Sequence, residues 1–351
     1  MDLSFLPSPD KIPVNWLWFQ ILLLITFLIH VILMNFILGG SILTLWDLYR
    51  GKKIRRDANS IPTLIALNIN FGVPPLLFVQ VLYGHLFYTS SLIIAVPWIL
   101  VIPVLILAYY GAYIFVYRYE RNQGLAKISL TISTLFLLAV AFIYVNNITL
   151  SMTPERFIKY FDNPGGWNLN LEEPTLIPRY LHILVAAIAV AGLGRAIYFY
   201  FSKNIEPDLK KDGVNNGLKI FGYATMVQVL TGILFWFTLP REIGKLLIGG
   251  NITFTLLLAI GVILAITLIM FAVRRKFMLT FISIIPLLVI MILVRDFVRR
   301  SYLADSFRPM QLENTSQPGS LILFLIVFVV GLFFLGYMIN LMTVKPKPEQ
   351  S

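Results

Sequence analysis

Apolar runs longer than 18 residues recur along the whole chain, and the charged residues gather in the short stretches between them. A helix needs about 20 apolar residues to cross a hydrocarbon core of about 30 Å. Nine segments meet or approach this, at residues 16–46, 61–87, 92–117, 128–150, 178–200, 218–239, 252–273, 277–294 and 321–342. They are too long and too uniformly apolar for barrel strands, which alternate with period two. The expected fold class is therefore all-α: a polytopic membrane helical bundle of about nine transmembrane helices, forming a single membrane domain over residues 1–351.

The distribution of charge orients the bundle. With the amino terminus outside, the inner segments hold 18 of the 28 Lys and Arg residues and 7 of the 17 acidic ones. The outer segments then hold 10 of each. The cluster Arg50, Lys52, Lys53, Arg55 and Arg56 after the first span is expected to dominate, placing the amino terminus outside and the carboxyl terminus inside. Met1-Asp2-Leu3 lacks a basic leader region, so the first run is expected to stay in the mature chain of a multi-pass inner (cytoplasmic) membrane protein. The connections at 151–177, rich in Pro and Gly, and at 295–320 are read as outer loops.

Composition sharpens the picture. The chain is 58% hydrophobic and 13% charged, and its mean hydropathy is +0.82. The net charge of +11 is explained by membrane orientation, so no nucleic-acid partner is expected and membrane lipid is the surrounding medium. Cysteine is absent, which excludes disulfides, iron–sulfur ligation and covalent c-type haem attachment within this chain.

Ionisable groups at membrane depth are costly and point to function. All three histidines lie in or at the edge of spans. His30 is 14 residues into the first helix, about 21 Å along at 1.5 Å per residue. His85 falls near the outer end of the second helix and His182 one turn into the fifth, at similar depth. Three roles compete: haem ligand, proton relay and interhelical hydrogen bonder. Matched depth on different helices favours one low-spin b-type haem between His85 and His182, with His30 on a separate haem. Arg179, three residues before His182 on the same face, is placed to meet a haem propionate, or to act as a snorkelling anchor. Asn68, Asn70, Gln80, Asn146 and Asn147 are read as helix glue, and Pro74-Pro75 as a kink in the second span. Gly39-Gly40 and the pair Gly192 and Gly194 permit close approach of helices or cofactor.

Four local patterns resemble subunit I of the cytochrome bd-type quinol oxidases: His30 with Leu38-Gly39; Asn70-Phe71-Gly72-Val73 with Val79-Gln80 and Gly84; Asn146-Asn147 with Met152-Thr153-Pro154; and Arg179-Tyr180-Leu181-His182. The resemblance is best over residues 14–201 and diffuse beyond. It implies nine helices with the amino terminus outside, a high-spin haem on His30 and a low-spin haem on His182. Departures accompany it. Residues 92–117 carry no acidic group, the stretch Phe254-Thr255-Leu256-Leu257 lacks the family's Arg-x-Met, and the quinol-binding loop shrinks to 240–250. The family's eighth-helix glutamate is matched by Asp296, with Arg299 following. His85 has no counterpart and is placed to replace the missing methionine.

The resemblance thus implies a b-type cytochrome membrane subunit that passes electrons between the quinone pool and an outer-face partner, a c-type cytochrome or other redox subunit. Its cofactors would be one or more haems b, with quinone as a further ligand. A divergent quinol-oxidising terminal oxidase subunit, a cofactor-free transporter with histidine proton relays, and a structural assembly subunit are the competing readings.

Overall fold

The computed structural model describes residues 6–52, 60–203, 205–315 and 317–343. Within them nine helices are long and apolar enough to cross a membrane, and no β-strand occurs. They are α1 (Trp16–Tyr49), α2 (Ile61–Ile93), α3 (Ala95–Arg118), α4 (Gln123–Ser151), α5 (Leu176–Phe201), α6 (Pro207–Thr238), α7 (Ile252–Val273), α8 (Phe277–Tyr302) and α9 (Pro318–Thr343). The chain is an all-α polytopic bundle, a multi-pass membrane protein. Lys53, Arg55 and Arg56 of the orienting cluster, and Met1-Asp2-Leu3, lie outside the described residues.

Local chemistry starts and extends these helices. Asn15, Asn122 and Asn251 cap α1, α4 and α7 by accepting from the backbone N–H groups of Leu17, Leu125 and Thr253 at 2.9, 3.0 and 3.1 Å. α6 begins at Pro207, well before its apolar run, because Pro at the first turn followed by Asp208 suits a helix start. Lys210, Lys211, Asp212, Asn215 and Asn216 interrupt the hydropathy there without interrupting the helix. α8 continues past Val294 to Tyr302, so residues 295–302, read from sequence as loop, are helical. α2 runs on through Pro74 and Pro75, and its departure from helical geometry falls at Tyr83 (φ −133°, ψ 23°). At about 1.5 Å per residue, α1 with its 34 residues is about 50 Å long, enough to project beyond the hydrocarbon or tilt within it.

Small residues set the closest packing. A Cβ on Gly217 of α6 would lie 2.6 Å from the Ala196 amide nitrogen and 2.7 Å from the Gly192 carbonyl oxygen of α5. Only glycine lets these two backbones meet, and α5 with α6 is the most extensive helix pair. α1 packs against both α2 and α5, while α3 leans on α4 through a 2.6 Å bond from the Ser133 hydroxyl to the Ala108 carbonyl. α7 packs with α6 and α8. α9 stands at the edge with its described side chains exposed except Leu321, touching the rest through Leu321 and an edge contact of Phe324 with Phe78.

One end of the bundle is closed by loops. The segment before α1 pairs with that before α9: the Ile12 amide donates to the Glu313 carbonyl, and the Thr315 amide to that of Ile12, both at 2.9 Å. Lys11 and Glu313 form a 2.7 Å ion pair beside them. Asn146 accepts from the Asn170 amide at 3.1 Å, docking the 151–177 loop, and Asn147 donates to Ser91 of α2 at 3.0 Å. Asn147 thus joins two helices, as expected of a membrane amide, whereas Asn146 holds a loop. This is the end assigned outside by charge.

Candidate functional site

His182 has the most informative surroundings. Its Nδ1 lies 3.1 Å from the Thr231 hydroxyl on α6, and a Cβ on neighbouring Gly232 would lie 3.3 Å from its Cε1. The Thr231 hydroxyl also lies 3.0 Å from the Gln228 carbonyl; donating its one proton there, it accepts from the imidazole. In that arrangement the proton is on Nδ1 and Nε2 keeps the lone pair, the state in which histidine ligates a metal. Arg179, one turn away, is near enough to feel the same imidazole, as the i, i+3 spacing predicted.

His30 is set deeper, on α1. Its ring lies against Gly72 of α2, where an added Cβ would be 3.0 Å from Cε1 and 3.2 Å from Nδ1, and its Nδ1 is buried without a hydrogen-bond partner. His85 faces the outer loops instead. Its ring meets Phe307 edge-on at 4.5 Å, and Asp10 is its nearest charge. No described hydrogen bond, ring contact or charge interaction joins His85 to His182. α1 packs against both α2 and α5, which make no extensive contact with each other.

Sequence reasoning placed α8's outer end in a loop and so missed a cluster of buried charge. The guanidinium of Arg179 lies 4.9 Å from the ring centre of Phe235 on α6. Those of Arg295 and Arg299 lie 4.0 Å from Phe27 on α1 and 4.5 Å from Tyr83 on α2. Asp296, 1% exposed, takes Arg299 Nη2 at 2.5 Å and Arg300 Nε at 3.0 Å. Among the described residues neither Arg179 nor Arg295 has an acidic partner within 4.0 Å. The Arg179 Nε and Nη2 and the Arg299 Nε are buried without a hydrogen-bond partner. Glu173, the nearest other carboxylate to Arg179, is held by Arg156 at 3.2 Å, Thr175 at 2.8 Å and Tyr302 at 3.3 Å. The signal that would have found the cluster is the spacing of Arg295, Asp296, Arg299 and Arg300, which suits a continued helix better than a loop.

A second buried pair lies toward the other end: Arg195 of α5 meets Asp47 of α1 at 2.8 Å, with Lys52 at 3.7 Å from the same carboxylate. Among the described residues no three His, Asp or Glu side chains gather as a multi-ligand metal centre would require. Compared with family models, curated proteins and solved structures, the chain matches none.

Proposed function

We propose that this chain is a b-type haem subunit of the inner (cytoplasmic) membrane that passes electrons between the quinone pool and a redox protein on the outer face. One observation carries the reading: His182 sits inside the bundle with its Nδ1 proton committed to Thr231 and its Nε2 lone pair left for iron. His30 is the second, deeper candidate from the sequence; its Nδ1 has no hydrogen-bond partner and packs on Gly72 of α2. The donor chemistry at these two positions fits haem b, which needs axial imidazoles and no cysteine. His85 stays the candidate for the second axial ligand beside His182: a haem between α2 and α5 would itself hold these helices apart, so their lack of extensive direct contact decides nothing. When bound, haem supplies reversible one-electron chemistry. The chain supplies the imidazole and a site within the bundle, the quinone comes from the resemblance to bd-type oxidases, and a separate c-type or other redox partner is inferred because this chain has no cysteine to attach a c-type haem.

The test is the dithionite-reduced minus oxidised spectrum of the purified protein and of three alanine variants. His182→Ala should abolish a low-spin b-type band, His30→Ala should lower haem per chain, and His85→Ala should abolish the low-spin band if His85 is the second axial ligand and leave it in place if it is not. A folded wild-type protein that takes up no haem would end the proposal.

A further inference from the structure

Arg179, Arg295 and Arg299 approach one another from α5 and α8, near enough that Arg295 feels the charge of both others. Each guanidinium is supported by an aromatic ring from a different helix, α6, α1 or α2. Such rings occupy the faces of the planar groups and leave the N–H edges free. Three of those edge nitrogens, Nε and Nη2 of Arg179 and Nε of Arg299, are buried without a partner, and Arg299 is only 7% exposed. Asp296 is shared between Arg299 and Arg300, and Glu173 is engaged by Arg156. Arg179 and Arg295 therefore stand near Arg299 with no carboxylate in contact with either of them among the described residues. Buried cations without a contacting anion are strongly unfavourable, and the planar guanidinium fork matches carboxylate and phosphate oxygens.

We propose that Arg179, Arg295 and Arg299 form a binding site for an anionic oxygen ligand, a carboxylate or phosphate group, at the end of the bundle assigned outside. Two sources carry that chemistry: the paired carboxylates of a porphyrin and the phosphate of an anionic phospholipid. The first rests on the haem reading above; the second stands without it. Arg295 and Arg299 are the new members of the site, and they extend it from α5 to α8.

The experiment uses the full chain purified in detergent, with Arg179→Gln as the main variant because its partnerless nitrogens leave nothing orphaned when removed. Arg295→Gln is the second variant, and size-exclusion profiles check that both fold. The purified wild type should melt several degrees above Arg179→Gln, since the variant weakens a bound anion. With no ligand the order reverses, because the substitution then only relieves repulsion, and that result would overturn the site. Two arms separate the sources. If porphyrin carboxylates are the occupant, the wild type should bind haem at least about tenfold more tightly than haem dimethyl ester, and either variant should lose most of that preference. If a phospholipid is the occupant, stoichiometric phosphorus should co-purify with the wild type and fall in both variants. A wild type that binds no haem removes the haem reading and leaves the phosphorus arm to decide. A wild type that neither prefers free haem nor retains phosphorus would sink the proposal.

Discussion

The two buried charge groups of this bundle are built differently. Toward one end, Arg195 and Asp47 meet at 2.8 Å, each 8% exposed, and join α5 to α1, with the exposed Lys52, 3.7 Å from the same carboxylate, as their only other charged partner among the described residues. Toward the other, Asp296 pairs with Arg299 and Arg300, while Arg179 and Arg295 stand near Arg299 with no acidic partner within 4.0 Å among the described residues. The first group needs nothing more: its charges cancel where they lie, and removing either leaves the other stranded. The second is complete only if something else brings negative charge. A balanced buried pair reads as structure, an unbalanced one as a site.

The largest test of that contrast is Asp47→Asn, which strands Arg195 and should cost about 3–5 kcal/mol of stability in a denaturant titration of the purified protein. A loss below about 1 kcal/mol, the range of an exposed pair, would erase the distinction between the two ends. Asp296→Asn should cost less, about 1.5–3 kcal/mol for one charge-assisted hydrogen bond, if a second anion shares the load beside it. Equal losses at the two ends would mean that Asp296 alone carries the neutralisation.

Next in size is Thr231→Val, which removes the acceptor of the His182 proton and should cost about 1 kcal/mol. In the haem-loaded protein it should also move the midpoint potential to more positive values, because an imidazole that donates no hydrogen bond is a weaker base toward ferric iron. A potentiometric titration with the midpoint unmoved would disconnect Thr231 from the iron.

The smallest effect is expected at the surface, where Glu172 bonds Lys159 and Glu313 bonds Lys11. The hydrogen bond and charge of each lysine hold these carboxyls below the usual carboxylate range. Their contribution is present above the ordinary carboxylate pKa and is lost as pH falls through the lowered folded value. Acidification should therefore loosen the 151–177 loop and the paired segments before α1 and α9 only slightly, and added salt should do the same by screening. Hydrogen exchange at Ile12 and Asn170, compared between neutral and acidic pH after correction for intrinsic rates, measures this. Loosening as large as that from Asp47→Asn would contradict the ranking.

Much of this molecule was legible in its residue order. The nine apolar runs appear as nine helices, with the seventh matching at both ends, because crossing a membrane demands length and apolarity, and both are local properties. The spacing of Arg179 and His182 likewise placed them on one face, since a helix converts sequence distance into direction. The outer end of α8 was read as loop because hydropathy falls at Arg295, yet backbone hydrogen bonding inside a helix is indifferent to side-chain polarity.

Which residues meet across helices was decided by the tertiary structure alone. His85 meets Phe307 and His182 meets Thr231, neighbours that their matched depth could not specify, because depth carries no information about rotation or neighbour order. Thr231 became informative only because α6 approaches α5 closely enough for its hydroxyl to reach an imidazole. The gathering of Arg179 with Arg295 and Arg299 spans more than a hundred residues of chain. Sequence determined that charge exists at these depths, because each arginine borders an apolar run; packing determined that three of them come near one another.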